Sequence, residues 1–295
     1  MTGPVLVVGA AGRLGAAIVQ AFADRPVVAL TRAEIDITDP ESVARTIAGA
    51  APEAIINCAA FNDVDCAEDR AADALAVNAF AVRSLARAAE KCGAVLVHFG
   101  TDFVFDGTAS EPYSESARPA PRSTYALSKL LGEWFALDLP QGFVLRVESL
   151  FGAPAHWQGR RGSFDGIVDG LAQGRDVKVF TDRVISPSYV DDVALATRHV
   201  VESGAAPGLY HCVNSGHASW YEMAVEAARI LGVSPRLQGV TMDEMSLKAT
   251  RPRFCALANR KLADAGFTMP SWQDALGRWL AGRRQAAGRM NETHG

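Results

Sequence analysis

Four aliphatic residues, Val5-Leu6-Val7-Val8, run directly into Gly9-Ala10-Ala11-Gly12-Arg13-Leu14-Gly15, and a helical pattern extends from Gly12 to Ala23. Glycines at this spacing between a strand and a helix leave the chain few choices. A tight turn needs glycine, and close approach of a pyrophosphate forbids a Cβ. A helix N-terminus supplies N–H groups and the positive end of its dipole. The junction is therefore a candidate phosphate-binding turn. Its spacing is GxxGxxG rather than GxGxxG, so on this feature alone a glycine turn without a ligand stays open.

The next elements repeat the alternation. Val27-Leu30, Ala54-Asn57, Val95-Phe99 and Phe143-Val147 read as strands. Helical patterns cover Asp39 to Ala50, Ala71 to Cys92 and Thr124 to Ala136, with Asp39 as a candidate N-cap and Pro40 at the first helical position. Nearly continuous apolar strands separated by helices predict a doubly wound parallel sheet of the Rossmann type, an α/β fold covered on both faces. Residues 1–150 are expected to form the dinucleotide-binding domain. Residues 176–213 are expected to return to it through strands at Val177-Phe180 and Gly208-Val213. Residues 151–175 and 214–295 are assigned to a smaller mixed α/β substrate-binding region, with helices at Ser163 to Gln173, Trp220 to Leu231 and Ser271 to Leu280. Gly152 to Gly162 reads as a loop carrying Trp157, Arg160 and Arg161, and the polar tail from Arg283 is expected to fray.

Composition narrows the function classes. A chain of 295 residues with 49% hydrophobic and 21% charged residues has the means to bury a core. A net charge of -4 gives no general attraction to nucleic acid or to an anionic membrane. The five cysteines form no CxxC pair and their number is odd, which speaks against a zinc site or a disulfide framework and for a reducing compartment. No signal peptide pattern precedes the first strand, and no apolar run reaches the roughly 18 residues of a membrane span. The expected location is the cytoplasm, and no metal is called for.

Chemistry is carried by Tyr125-Ala126-Leu127-Ser128-Lys129, a YxxxK. On a helix, residues four apart share a face, so phenol and ammonium project together. A nearby ammonium is expected to lower the phenol's pKa toward the working range of a proton shuttle, and the same Lys129 could hold ribose hydroxyls. Thr101 stands at the carboxyl end of the fourth strand, where ligands of such sheets sit, and is placed to hydrogen-bond a carbonyl oxygen. At the end of the second strand an acid would favour a free ribose 2′-hydroxyl, but Arg32 stands there. A guanidinium suits a 2′-phosphate, so NADPH is the expected cofactor, with NADH as a second possibility. Asp36 and Ile37 follow and could reach the adenine from the side.

Taken in order, these residues resemble the dTDP-4-dehydrorhamnose reductase family of the extended short-chain dehydrogenases. The resemblance runs through Gly9-Gly15, Asp36-Ile37-Thr38-Asp39, Asn57-Cys58-Ala59-Ala60-Phe61, Val64-Asp65, Ala67-Glu68 and Val77-Asn78. It continues through Thr101-Asp102-Phe103-Val104-Phe105-Asp106-Gly107, Pro112-Tyr113, Tyr125 to Lys129 and Gly132-Glu133. Its last members are Gly208-Leu209-Tyr210-His211, Ser219-Trp220, Arg251-Pro252, Leu257 and Lys261-Leu262. The resemblance implies hydride transfer from a nicotinamide to C4 of a nucleotide-linked 4-keto-6-deoxy sugar. Tyr125 would give the proton, Lys129 would support it and Thr101 would orient the carbonyl. Gly9, Gly12, Arg13, Leu14, Asp36, Ile37, Ala59, Ala60 and Asn78 would line the cofactor, although Asn78 also reads as a buried, helix-bending polar residue. Asp102, Phe103, Val104, Ser149 and Arg251 are the candidate substrate contacts. A homodimer is expected from the family alone.

The pattern is broken in three places. Gly100 replaces the usual Ser before Thr101, Ser149 stands where the rhamnose-forming enzymes usually carry Trp, and Glu148 replaces a small residue. Ser149 predicts a wider and more polar sugar site, and Glu148, if it lines that site, is expected near sugar hydroxyls. Two other functions share the scaffold. Sugar-nucleotide dehydratases carry an Asp-Glu pair after the catalytic Thr, whereas Asp102 here precedes Phe103; epimerases stay open. The third reading is a regulatory subunit resembling the β subunit of methionine adenosyltransferase, against which the intact Thr101, Tyr125 and Lys129 argue.

Overall fold

The computed structural model describes residues 3–154, 157–159 and 161–292, with side chains as far as residue 285. Arg160 lies outside the described residues. The chain begins β1 (Val5–Val8), α1 (Arg13–Ala21), β2 (Val27–Leu30), α2 (Pro40–Ala50) and β3 (Ala54–Asn57). The Asp39 carboxylate accepts from Glu41 N and so caps α2 as expected. Two short helices, α3 (Val64–Asp69) and α4 (Ala71–Leu75), lead through a π-helical turn at Ala76–Phe80 into α5 (Ala81–Cys92). Then come β4 (Val95–Thr101), a 3-10 turn at Asp102–Val104, α6 (Thr124–Leu137) and β5 (Gly142–Val147).

These strands, joined by β10 (Gly208–His211), form one six-stranded sheet in the order β10-β5-β4-β3-β1-β2. Every pairing in it is parallel. The apolar run of β1 is divided by the two-residue period of a strand. Val5 and Val7 face the larger core with Ile18 and Phe22 of the α1 region, while Leu6 and Val8 face a second core with Val43, Ile47, Val82 and Leu85. Successive crossovers leave β1 in opposite directions, β2 on one side and β3 on the other. That reversal opens a crevice at the carboxyl ends of the strands, the usual ligand position in such sheets.

The second half adds β6 (Leu150–Phe151), α7 (Ser163–Ala172), β7 (Val177–Phe180), β8 (Val184–Ile185), β9 (Ser188–Tyr189) and α8 (Val190–Glu202). After β10 follow β11 (Ala218–Ser219), α9 (Trp220–Leu231), β12 (Leu237–Val240), α10 (Arg260–Asp264) and α11 (Trp272–Glu292). The segment 176–213 divides. Its β10 joins the main sheet beside β5, but β7 pairs in parallel with β12, away from that sheet. Between them α8 packs on α1. Arg198 of α8 donates to Ala21 O at 2.8 Å and forks onto Asp24 at 2.7 Å through both terminal nitrogens, placing a cation at the C-terminal end of α1. The last helix runs to Glu292, well beyond the expected end at Leu280 and through the tail expected to fray. Among the described residues no helix is long and apolar enough to cross a membrane.

Candidate active site

A cleft of about 470 Å³ opens at the carboxyl ends of β1, β3, β4 and β5. The glycine turn forms one end. Gly9 has φ +79°, and a Cβ there would lie 2.8 Å from Ala59 N. A Cβ on Gly15 would lie 2.3 Å from Gly9 O, so the turn and the helix close on each other only with glycine at both places. Gly9 therefore supports the cleft from beneath, while Gly12, Arg13, Leu14, Ala59 and Ala60 line it. The Arg13 guanidinium is paired with Asp165 at the start of α7 and lies 5.3 Å from the Trp157 ring centroid. Trp157 Nε1 in turn donates to Ala11 O at 2.9 Å. Trp157 is thus fastened across the glycine turn, and Arg161 lines the cleft beside it.

The middle of the cleft holds the chemistry. Ser123 Oγ accepts from Ala126 N and caps α6, which fixes the first turn carrying Tyr125. Tyr125, Lys129 and Thr101 all line the cleft. Phe103 meets the Tyr125 ring edge-on, with centroids 5.5 Å apart. Thr101 Oγ1 donates to Asp102 Oδ1 at 3.0 Å and accepts from Phe103 N at 3.3 Å. Lys129 Nζ donates to Phe99 O at 2.6 Å. Burial lowers the Lys129 pKa to about 8, against the opposite pull of Glu133.

The expected lowering of the Tyr125 pKa does not hold in this arrangement. Burial raises it, the Asp102 charge adds to the rise, and Thr101 opposes it with a hydrogen bond. The ammonium of Lys129 is directed to a backbone carbonyl, and desolvation of the phenol dominates. Tyr125 is consequently a neutral phenol, the protonation state required of a proton donor.

Several candidates stand elsewhere. Asn78 sits in the π-helical turn, fully buried, and does not line the cleft. Its Oδ1 accepts from Phe61 N at 2.8 Å, and its Nδ2 donates to Phe61 O and to Ser128 Oγ. It fastens the loop after β3 to the helix bearing Lys129, which matches the polar helix-bending reading and not the cofactor-lining one. Val104 is wholly buried, packed with Phe105, Leu130, Val213 and Leu257 beneath the cleft. Arg251 forks onto Asp65 at 2.9 Å through both terminal nitrogens and holds that carboxyl down to about 2. It braces α3 against the C-terminal region and does not line the cleft. Arg32, Asp36 and Ile37 lie past the end of β2, outside the cleft lining. Arg32 and Asp36 are exposed, Ile37 packs against the second core, and Asp36 Oδ1 is engaged by Thr38. Glu34, which the sequence reading passed over, turns back onto Thr31 N at 2.7 Å.

The three departures from the family pattern acquire physical reasons or positions. A Cβ at Gly100 would lie 2.2 Å from Glu133 Oε1 and 2.8 Å from Arg146 Cγ, so glycine makes room for the buried Glu133–Arg146 ion pair. Ser149 lines the cleft with φ +42°, a left-handed conformation rare for a residue with a side chain. Glu148 does not line the cleft, so the condition for its expected place near sugar hydroxyls is not met. It is 1% exposed and turns inward, accepting from Ser186 N at 2.7 Å and from Cys255 Sγ at 2.9 Å. Burial and the nearby Asp102 charge push its carboxyl well above the usual range. Asp102, Glu148 and Cys255 bring their polar atoms within 4.8 Å of one another, and the cation facing this cluster is Arg183, 3.6 Å from Asp102 Oδ2. Arg183 and Trp220 also line the cleft; no sequence motif had pointed to Arg183, and Trp220 had entered only as part of the family resemblance, without a site role.

Comparison with known proteins agrees with this geometry. A dTDP-4-keto-6-deoxy-D-glucose reductase of Streptomyces niveus is 37% identical over 284 residues, covering 94% of this chain and 96% of that protein. A dTDP-4-dehydrorhamnose reductase of Mycobacterium tuberculosis is 36% identical over 287 residues, covering 94% and 92% respectively. The solved structure of a dTDP-4-dehydrorhamnose reductase from Bacillus anthracis, in complex with NADP, superposes with a TM-score of 0.89 at 30% identity and covers 96% of this chain and all of that one. Residues 2–284 match the family described as the RmlD substrate binding domain, and the chain belongs to that family.

Proposed function

We propose that the protein is an NADPH-dependent reductase of the C4 ketone of a nucleotide-linked 4-keto-6-deoxyhexose. The observation that carries this reading is the gathering of Thr101, Tyr125 and Lys129 in one cleft with the glycine turn at its end. The residues fit the cofactor, because the Cβ-free surface of the turn and the N-terminus of α1 suit a pyrophosphate. When bound, NADPH supplies the hydride. Thr101 Oγ1 orients the carbonyl oxygen, and the neutral Tyr125 phenol gives the proton to the forming alkoxide. Lys129, freed from Phe99 O, holds ribose hydroxyls. The buried walls exclude water from the reacting atoms. The test is oxidation of NADPH in the presence of nucleotide-linked 4-keto sugars. Oxidation that depends on the sugar supports the reading, and none with any 4-keto-6-deoxyhexose contradicts it.

Two outcomes concern the cofactor. Arg32 is exposed beyond β2, the position from which a guanidinium meets a 2′-phosphate. Arg32→Ala should lower the ratio of NADPH to NADH affinity by about 10-fold, the effect of losing one charge-assisted contact. An unchanged ratio makes Arg32 a surface residue. Lys129 carries its proton below about pH 8 and loses it above. NADPH affinity should therefore fall as pH rises through that value, and Lys129→Met should bind weakly with no such step. Affinity that stays flat through this range in the wild type contradicts the role.

The cytoplasm is the location consistent with this reading, and a homodimer is its proposed assembly. Leu127 and Trp134 of α6, 53% and 58% exposed, lie one heptad apart on one helix face, an apolar surface a second copy would cover. The mass in solution decides between monomer and dimer.

A further inference from the structure

Arg183 is nine-tenths buried and lines the cleft, where Cys255 and Asp102 are the polar groups that meet its guanidinium. Its nearest oppositely charged atom is Asp102 Oδ2 at 3.6 Å, beyond a hydrogen bond. Its Nε is buried and unpartnered, as is Asp102 Oδ2. A guanidinium offers five donors, and buried polar groups left unfilled in a binding cleft mark where a ligand supplies acceptors. The side chain is held in place by its contact with Phe103, 5.1 Å from the ring centroid. Phe103 is itself packed edge-on to Tyr125, so Arg183 and the proton donor meet the same ring and line the same cleft.

Charge selects the acceptor. A diphosphate calls for an uncompensated cation, but Asp102 already neutralises this one, and Glu148 and Cys255 stand behind it. Neutral oxygen acceptors fit such a balanced pair. In a 4-keto-6-deoxyhexose the carbon on one side of the ketone bears the methyl group, so the hydroxyl adjoining the reacting carbon is the one on C3. We propose that Arg183 is a specificity-determining residue that donates hydrogen bonds to the C3 hydroxyl of the sugar, with Phe103 as its platform and Asp102 as its counter-charge. The inference rests on the reductase reading for the identity of the sugar.

The test uses binding rather than turnover. Calorimetry on protein saturated with NADP would compare three ligands: a dTDP-linked 6-deoxyhexose, its 3-deoxy analogue and dTDP alone. Wild type should bind the 3-hydroxy sugar about 10-fold or more tightly than the 3-deoxy one, since a site built to hydrogen-bond a hydroxyl rejects the analogue without it. Arg183→Met should bring that ratio to within about 2-fold while leaving dTDP affinity unchanged. Arg183→Lys keeps the charge facing Asp102 and loses the planar fork, so it should also lose most of the discrimination; it carries the test if Arg183→Met fails to bind NADP. The proposal is overturned by a wild type that does not discriminate, by a ratio unchanged in the variants, or by a fall in dTDP affinity matching that of the sugar, which would assign Arg183 to the diphosphate. Failure of the reductase reading would show separately, as absence of NADPH oxidation with every ketosugar.

Discussion

Tyr125→Phe should lower kcat by about 100-fold or more, the usual contribution of a positioned general acid, while NADPH binds as it does to wild type. The substitution removes only the hydroxyl. The ring stays in its edge-on contact with Phe103 at 5.5 Å, and the helix cap at Ser123 is untouched. Burial keeps the wild-type phenol protonated, so the lost group is a proton donor and not a phenolate. Steady-state turnover together with NADPH titration by fluorescence separates the two effects. Turnover within about 3-fold of wild type would remove Tyr125 from the reaction, because the expected loss is far larger.

The second large effect is on stability. Glu133 on α6 and Arg146 on β5 are 1% and 3% exposed in their side chains. Three hydrogen bonds join them, at 3.0, 3.1 and 2.7 Å. Arg146 is further covered by the Phe105 ring at 5.1 Å. Glu133→Ala leaves that guanidinium buried without its anion, a change that costs about 3–5 kcal/mol. Set against a typical stability of about 5–15 kcal/mol, this brings the fold close to unfolding at moderate temperature. Glu133→Gln keeps acceptors for the guanidinium and should lose less. Denaturant midpoints measured at matched slope test this, and a loss below about 1 kcal/mol for Glu133→Ala would mean that water or a neighbour replaces the carboxylate.

The parallel sheet was legible in the sequence because its strands carry unbroken apolar runs and each is followed by a helix with its own start signal. Helix α8 was not. Val190, Val193, Thr197, Val200 and Val201 are β-branched residues of weak helix propensity, and only their burial against α1 offsets it. The pairing of β7 with β12 was equally hidden, since Val177–Phe180 and Leu237–Val240 are far apart in sequence and neither carries a register signal. At the site, Gly12, Tyr125, Lys129 and Thr101 could be found because local spacing places them. Arg251 was read as a ligand contact from resemblance alone, and Asn78 as either a cofactor contact or a buried, helix-bending polar residue; both are occupied by protein partners, Asp65 in one case and Phe61 with Ser128 in the other. Arg183 escaped notice because it comes from the short strand region of the second half and meets Asp102 and Phe103 only through the fold. Glu148 was seen as unusual, but its inward direction follows from Ser186 and Cys255, which no local pattern connects to it.

The proposed reaction moves a hydride from the cofactor to C4 of the sugar at the cleft holding Thr101, Tyr125 and Lys129. It is tested most directly with NADPH deuterated at the transferring position of the nicotinamide and a dTDP-linked 4-keto-6-deoxyhexose. Mass and magnetic resonance spectra of the product should show one deuterium at C4 of the sugar, a hydroxyl in place of the ketone and an equal amount of NADP formed. A product without deuterium at C4, or a sugar recovered unreduced while the wild-type protein binds both ligands, would contradict the account.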